Sequence, residues 1–211
     1  MSKSLIIFPH QLFAEHPGLD EKPDRIVLVE DPLFFGDPQY PATFHKQKLW
    51  LHRATMAHYA ERLKGEGWAV EIVKYRRATG MIARLVADLA EAGVDRIVVA
   101  DPVDHTAMKR VCAAAGDAGL SLGIVSTPGI LNTREKNDEW SDGRKRWYMA
   151  EYYKFQRRRL DVLMDGDDPV GGQWSFDEDN RKKVPKARHG DLPNLPVVTR
   201  SQIDLEARDS V

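Results

Sequence analysis

Four short polar clusters each follow an aliphatic run: Pro9-His10-Gln11, Glu30-Asp31-Pro32, Asp101-Pro102 and Ser126-Thr127-Pro128. Carboxylates and carboxamides in such places accept hydrogen bonds from a sugar-alcohol chain or a heterocyclic N–H. The same carboxylates, Glu30, Asp31 and Asp101, repel a polyphosphate. Neither G-x-G-x-x-G nor G-x-x-x-x-G-K-[ST] occurs, so no phosphate cradle is written in the chain. This chemistry favours a neutral, polyol-bearing ring over ATP or NAD. The competing reading is that these residues only end strands and cap helices, as Asp-Pro commonly does.

Other reactive residue types carry weaker patterns. His10 and His105 are the candidates for a base or nucleophile near the strand ends, and no Ser/His/Asp order stands out. His45 and His52 are seven apart without a third ligand at i+4, which favours a helix start and a packed His52 over a metal site. Asp165-Gly166-Asp167-Asp168 opens like a calcium loop but lacks the ligand spacing and closing glutamate. Cys112, between Val111 and Ala113, is expected in the core. No catalytic or metal-binding residue is assigned.

A basic segment stands apart. Arg144, Lys145, Arg146, Lys154, Arg157, Arg158 and Arg159 are opposed only by Glu151, and Trp147, Tyr148, Tyr152, Tyr153 and Phe155 interleave them. Such a helix suits DNA phosphates, with Arg157, Arg158 and Arg159 as the contacts. Alternatively its aromatic stripe packs on the sheet while its arginines meet carboxylates of a neighbouring domain.

The elements that must position these residues follow from pattern. Leu5–Phe8, Ile26–Val29, Val70–Val73, Ile97–Ala100 and Leu122–Val125 read as strands buried on both faces. Helical spacing runs from about His45 to Lys64, Met81 to Ala92 and Thr106 to Ala118, with a short helix around His16 to Leu19. The βαβ rhythm predicts an α/β, Rossmann-like, doubly wound five-stranded parallel sheet. A long helix over Arg144–Met164 follows, then an extended linker tail, with Val184 onward broken by Pro185, Gly190, Pro193 and Pro196. The expected domains are 1–164 and 165–211. Ligands of such a sheet sit beyond the carboxyl ends of its strands.

Composition bounds the rest. In 211 residues, 31 Lys and Arg balance 32 Asp and Glu, so there is no global nucleic-acid signature. One cysteine excludes an intrachain disulfide and a four-cysteine cluster site in this sequence, and suits a reducing compartment. No apolar run approaches ~18 residues and the N-terminus lacks a signal-peptide core, so a soluble, cytoplasmic protein without a membrane partner is expected.

The order of motifs resembles the deoxyribodipyrimidine photolyase-related proteins, the iron–sulfur bacterial cryptochromes and (6-4) photolyases. His45-Lys46-Gln47-Lys48, Arg53-Ala54-Thr55-Met56 and Tyr59 resemble one block; Gly143-Arg144-Lys145, Met149-Glu151-Tyr153 and Arg157-Arg158-Arg159 a second. Gly166 through Pro169, Gly171-Gly172-Gln173-Trp174, Phe176-Asp177 and Asn180-Arg181-Lys182 resemble the third. The likeness covers nearly the whole chain and the family's N-terminal half.

That resemblance implies an N-terminal antenna and docking domain of a light-dependent flavoprotein, a DNA repair enzyme or photoreceptor. Its FAD and 4Fe–4S cluster are expected in a C-terminal half outside this sequence, joined in cis or in trans, with DNA met through the complete enzyme. It implies a ribityl-lumazine-type antenna at the strand ends. Candidate cofactor residues are then Pro9, His10, Gln11, Glu30, Asp31 and Asp101, with Lys46 from the His-Lys-x-Lys motif. Relatives with that antenna usually carry Gly-Asp-Gln where this chain has Pro9-His10-Gln11, and a small acidic segment where it has Leu33-Phe34-Phe35. A chain of this kind alone is expected not to be catalytic. The alternatives are a freestanding Rossmann-like small-molecule-binding protein or a truncated, inactive interaction module.

Overall fold

The structure is a computed structural model that describes residues 1–177 and 181–211. Five aliphatic runs form strands β1 (Lys3–Ile7), β2 (Arg25–Val29), β3 (Val70–Val73), β4 (Arg96–Ala100) and β5 (Ser121–Val125). They pair in parallel in the order β3-β2-β1-β4-β5. Leu5 lies opposite Ile26 on one side and Val98 on the other. The expected α/β Rossmann-like sheet is what forms.

Side-chain alternation along these strands feeds two cores. Ile6, Phe8, Val27, Val29, Ile97 and Val99 meet helices α3 (Met81–Glu91) and α4 (His105–Asp117) on one face. Leu5, Ile7, Ile26, Leu28 and Val98 meet Met56, Tyr59 and Leu63 of α2 (Lys46–Gly65) on the other. A single-turn helix, α1 (Pro32–Phe35), follows β2 with Asp31 as its N-cap.

Local chemistry sets the boundaries. His45 caps α2 by accepting the Gln47 N–H at Nδ1 (3.2 Å), the helix start expected from sequence. Asp104 caps α4 through the Ala107 N–H at 2.8 Å. The short first crossover is a 3₁₀ turn, Pro17–Leu19, capped by His16, whose Nδ1 accepts the Gly18 N–H at 3.1 Å. A Cβ at Gly18 would press into the fully buried Leu5 side chain, which glycine avoids.

Two compact units result, Met1–Leu131 with Thr199–Val211, and Asn132–Val198. In the second unit, α5 (Arg134–Ser141) precedes α6 (Met149–Leu160). The latter is shorter than the Arg144–Met164 helix read from sequence. Gly143 is left-handed (φ 69°) and Tyr148 is extended, so Arg144–Tyr148 lie outside it; Asp161 turns left-handed (φ 52°) and ends it. Asp165–Asp168, compared above with a calcium loop, is a hairpin between β6 (Met164–Asp165) and β7 (Asp168–Pro169). Asn180 of the third motif block lies outside the described residues.

Part of the stretch read as linker is also helical. A 3₁₀ turn spans Lys186–Asp191, and α7 (Gln202–Asp209) belongs to the first unit. Its signal is a capping box: Ser201 Oγ accepts the Asp204 N–H, and Asp204 Oδ2 accepts the Ser201 N–H at 2.7 Å. The helix lies on α2, where the Trp50 indole donates to the Asp204 carbonyl, Arg200 covers the Trp50 ring and Ala207 is buried. Among the described residues, no helix is long and apolar enough to cross a membrane.

Candidate functional site

The strand order reverses at β1, so the crevice that open α/β sheets use for ligands lies beyond the ends of β1 and β4. Here the chain laces the two loops together. Gln11, fully buried, donates from Nε2 to the Ala100 carbonyl at 2.9 Å and accepts the Phe8 N–H at 3.3 Å. His10, an exposed residue, donates from Nε2–H to the Pro102 carbonyl at 3.0 Å. The His10 ring stacks on Phe34 of α1, with centroids 4.8 Å apart and planes 25° off parallel. Burial holds its proton affinity below the ordinary value, against the Pro102 carbonyl and the Asp104 carboxylate. The contact requires a proton on Nε2, because a carbonyl oxygen only accepts. Asp101 turns its Oδ1 to the Val103 N–H at 2.8 Å, and Val103 takes a left-handed backbone, φ 57°.

Glu30 sits apart from that crevice. Its fully buried carboxylate accepts the Tyr75 N–H (3.0 Å), Lys74 Nζ (3.1 Å) and Arg53 Nε (3.4 Å). Arg53 in turn donates to the carbonyl of Ser210 and lies over the Phe35 ring. Glu30 is therefore a hub tying the ends of β2 and β3 to α2 and, through Arg53, to the end of α7. Its hydrogen-bond capacity goes to the protein, as expected of a buried carboxylate.

Asp31 occupies a third setting. Oδ1 accepts the Leu33 N–H at 2.9 Å, and burial raises this carboxyl to about 6. It faces a cavity of about 210 Å³ shared with Asp37, Arg110, Asp117 and the first turn of α3. Burial pushes Asp37 up, but the Arg110 guanidinium and the Gln39 and Tyr40 amides outweigh it and hold it below the usual range. Arg110 also reaches Gln39 Oε1 at 2.8 Å.

The strand-end residues read as one mouth thus divide among a laced crevice (His10, Gln11, Asp101), a salt-bridge hub (Glu30) and a cavity wall (Asp31). Pro9 is buried, and Lys46 is exposed in the first turn of α2. Sequence reasoning gave no site role to Lys74 or Arg110 and met Phe34 and Arg53 only through the family motifs, because the partners of all four lie 23 or more residues away. Gln11, Glu30 and Asp31 are spent on protein partners or buried, so this set as it stands does not fit the polyol of a ribityl-lumazine. Among the described residues, no three His, Cys, Asp or Glu gather to hold a metal.

The second unit carries the basic and aromatic residues. Arg157, expected to face phosphates, instead points inward and is 5% exposed; it donates to the carbonyls of Val162 (3.1 Å), Trp174 (3.2 Å) and Leu163. Its neighbours stay outside: Arg158 stacks on Trp174 at 4.6 Å, and Arg159 donates to Gln156 Oε1 and Asn132 Oδ1. The aromatic stripe of α6 packs on α5, with Trp140 edge-on to Tyr152 at 4.8 Å. Trp147, Tyr148 and Met149 are left 71%, 58% and 79% exposed, beside an open groove of about 490 Å³ that Trp140 and Tyr152 also line.

A five-stranded parallel sheet in the order β3-β2-β1-β4-β5, covered by helices on both faces, defines an α/β, Rossmann-like domain. The chain belongs to the deoxyribodipyrimidine photo-lyase-related protein family, which it matches over residues 5–211. It is 33% identical to a (6-4) photolyase of Agrobacterium fabrum over its whole length, and spans 42% of that protein. It is 28% identical to an uncharacterized protein of Acanthamoeba polyphaga mimivirus, covering 88% of this chain and 96% of the viral one.

Proposed function

We propose that this chain is the N-terminal docking module of a light-dependent flavoprotein, a DNA repair enzyme or a photoreceptor. The observation that carries this reading is the full-length alignment with a (6-4) photolyase, a protein more than twice as long as the aligned region. In this reading FAD, any 4Fe–4S cluster and the light-driven electron transfer belong to a C-terminal-type partner domain, present in cis or in trans. The chain supplies no catalytic group. It supplies a rigid sheet domain and, on the second unit, an exposed aromatic edge with arginines nearby. Trp147, Tyr148 and Met149 are the residues through which a partner domain is held, since exposed aromatic and methionine side chains anchor interfaces. Arg158 and Arg159, on the exposed side of α6, meet the DNA backbone within the assembled protein, and the buried Arg157 does not.

The test is to recover the tagged chain from cells of its native host and record absorption of the purified fraction. Flavin absorbance eluting with the chain, and lost with Trp147→Ser, Tyr148→Ser and Met149→Ser together, is the expected result. A colourless chain eluting alone from an extract that contains the flavoprotein half would sink the proposal.

A second reading has its own support. The viral relative is nearly coextensive with this chain, 96% of it being aligned. An interaction module that acts without a flavin partner is the second reading that the viral alignment supports.

A further inference from the structure

The crevice at the reversal of strand order is where an open α/β sheet offers a slot to a flat ligand. In this chain three observations meet there. The His10 ring lies stacked on Phe34 with centroids 4.8 Å apart. The same ring spans the crevice, from the loop after β1 to the Pro102 carbonyl after β4, at 3.0 Å. Next in the chain, the fully buried Gln11 bridges the Phe8 N–H and the Ala100 carbonyl, tying the ends of the two strands together. A flat heterocycle with one N–H in its plane needs that stacking surface and that carbonyl acceptor. His10 is itself such a heterocycle.

We infer that His10 is a built-in stopper: its imidazole occupies the ring slot of the switch-point crevice, taking the contacts that a planar N–H-bearing cofactor ring would make. The chain as it stands therefore does not take up a lumazine-type ring, and its slot is opened by shortening residue 10. His52 also packs edge-on to Phe34, with its Nε2 buried and without a hydrogen-bond partner, and braces that ring. This inference rests on the crevice alone and is independent of the docking proposed above.

The experiment uses the full chain and ribityl-lumazine, whose own fluorescence reports binding. The unaltered chain and His10→Gly are titrated side by side. His10→Gly is expected to bind lumazine at least ~10-fold more tightly than the unaltered chain. Equal binding by both overturns the inference, because the ring then blocks nothing. Failure of both to bind also overturns it, because removing the ring then exposes no slot. If His10→Gly is poorly folded, imidazole added to it provides the second measurement. A stopper predicts that imidazole raises the melting temperature of His10→Gly and leaves that of the unaltered chain unmoved; equal responses count against it. His10→Ala, which keeps an ordinary backbone, is expected to bind lumazine less tightly than His10→Gly and more tightly than the unaltered chain.

Discussion

The indole Nε1 of Trp50 donates to the backbone carbonyl of Asp204 at 2.8 Å, joining α2 to α7. The bond is one of several, since His58 Nε2 also meets Asp204 Oδ1 at 2.9 Å and Arg53 donates to the Ser210 carbonyl. Trp50→Phe keeps a ring beneath Arg200 and removes only the N–H. It is expected to cost about 1 kcal/mol. The loss should show as faster hydrogen exchange of α7 amides, with those of β1 and β4 unchanged. Uniform acceleration across the sheet would refute the assignment of α7 as a separately held element.

Two buried titrating groups oppose one another between about pH 4 and 6.5. His16 is held near 4 by burial, partly offset by a backbone hydrogen bond, so the unfolded chain binds the extra proton and stability rises with pH across that interval. Asp31 is raised to about 6 by burial, so the folded chain keeps its proton longer and stability falls with rising pH. Each effect amounts to roughly 3 kcal/mol at most. His16→Asn and Asp31→Asn both retain a capping acceptor. Relative to the unaltered chain, His16→Asn should tilt urea-derived stability downward with pH over this window, and Asp31→Asn should tilt it upward. Tilts of the same sign would contradict the structure.

Arg157 and Arg158 are adjacent in sequence and opposite in role. Arg157→Gln strands the carbonyls of Val162, Leu163 and Trp174 and should cost about 2–4 kcal/mol in the second unit. Arg158→Gln removes an exposed stack on Trp174 and should cost ~1 kcal/mol or less. Near-UV circular dichroism during thermal unfolding distinguishes them. In the assembled protein, Arg158→Gln with Arg159→Gln should flatten the salt dependence of DNA binding. An unchanged slope removes this segment from the DNA surface.

Cys112 is exposed, contrary to the core position read from its apolar neighbours. The buried stripe of α4 is Ala107, Val111, Ala114 and Ala115, and Cys112 falls beside it. The native chain should therefore react with a chromogenic disulfide at one thiol per molecule as quickly as in denaturant. Reaction only after unfolding would place it back inside.

The sheet was legible because each strand is a continuous aliphatic run and each long crossover carries a helical stripe. Ile82, Leu85, Val86 and Leu89, at helical spacing along α3, are all buried against it. The site was legible only as a set of strand-end residues. What each does depends on distant partners: Glu30 on Arg53 and Lys74, His10 on Pro102 and Phe34, Asp31 on the cavity that Arg110 lines. The shortening of α6 turns on left-handed backbone at Gly143 and Asp161, and only the glycine advertises that conformation. Ser201-x-x-Asp204 was a readable helix start that the surrounding prolines concealed.

Because Thr199–Val211 belongs with Met1–Leu131, the segment Asn132–Val198 is spliced into the first unit and has both of its ends fixed there by the chain. A ribosome delivers the sheet before the inserted unit, and α7 after it. Until Trp50 and Arg53 receive Asp204 and Ser210, the outer side of α2 waits uncovered, so the order of synthesis and the order of completion differ. The first unit is begun before the inserted unit and finished after it, and a nascent chain halted inside the insertion leaves it open.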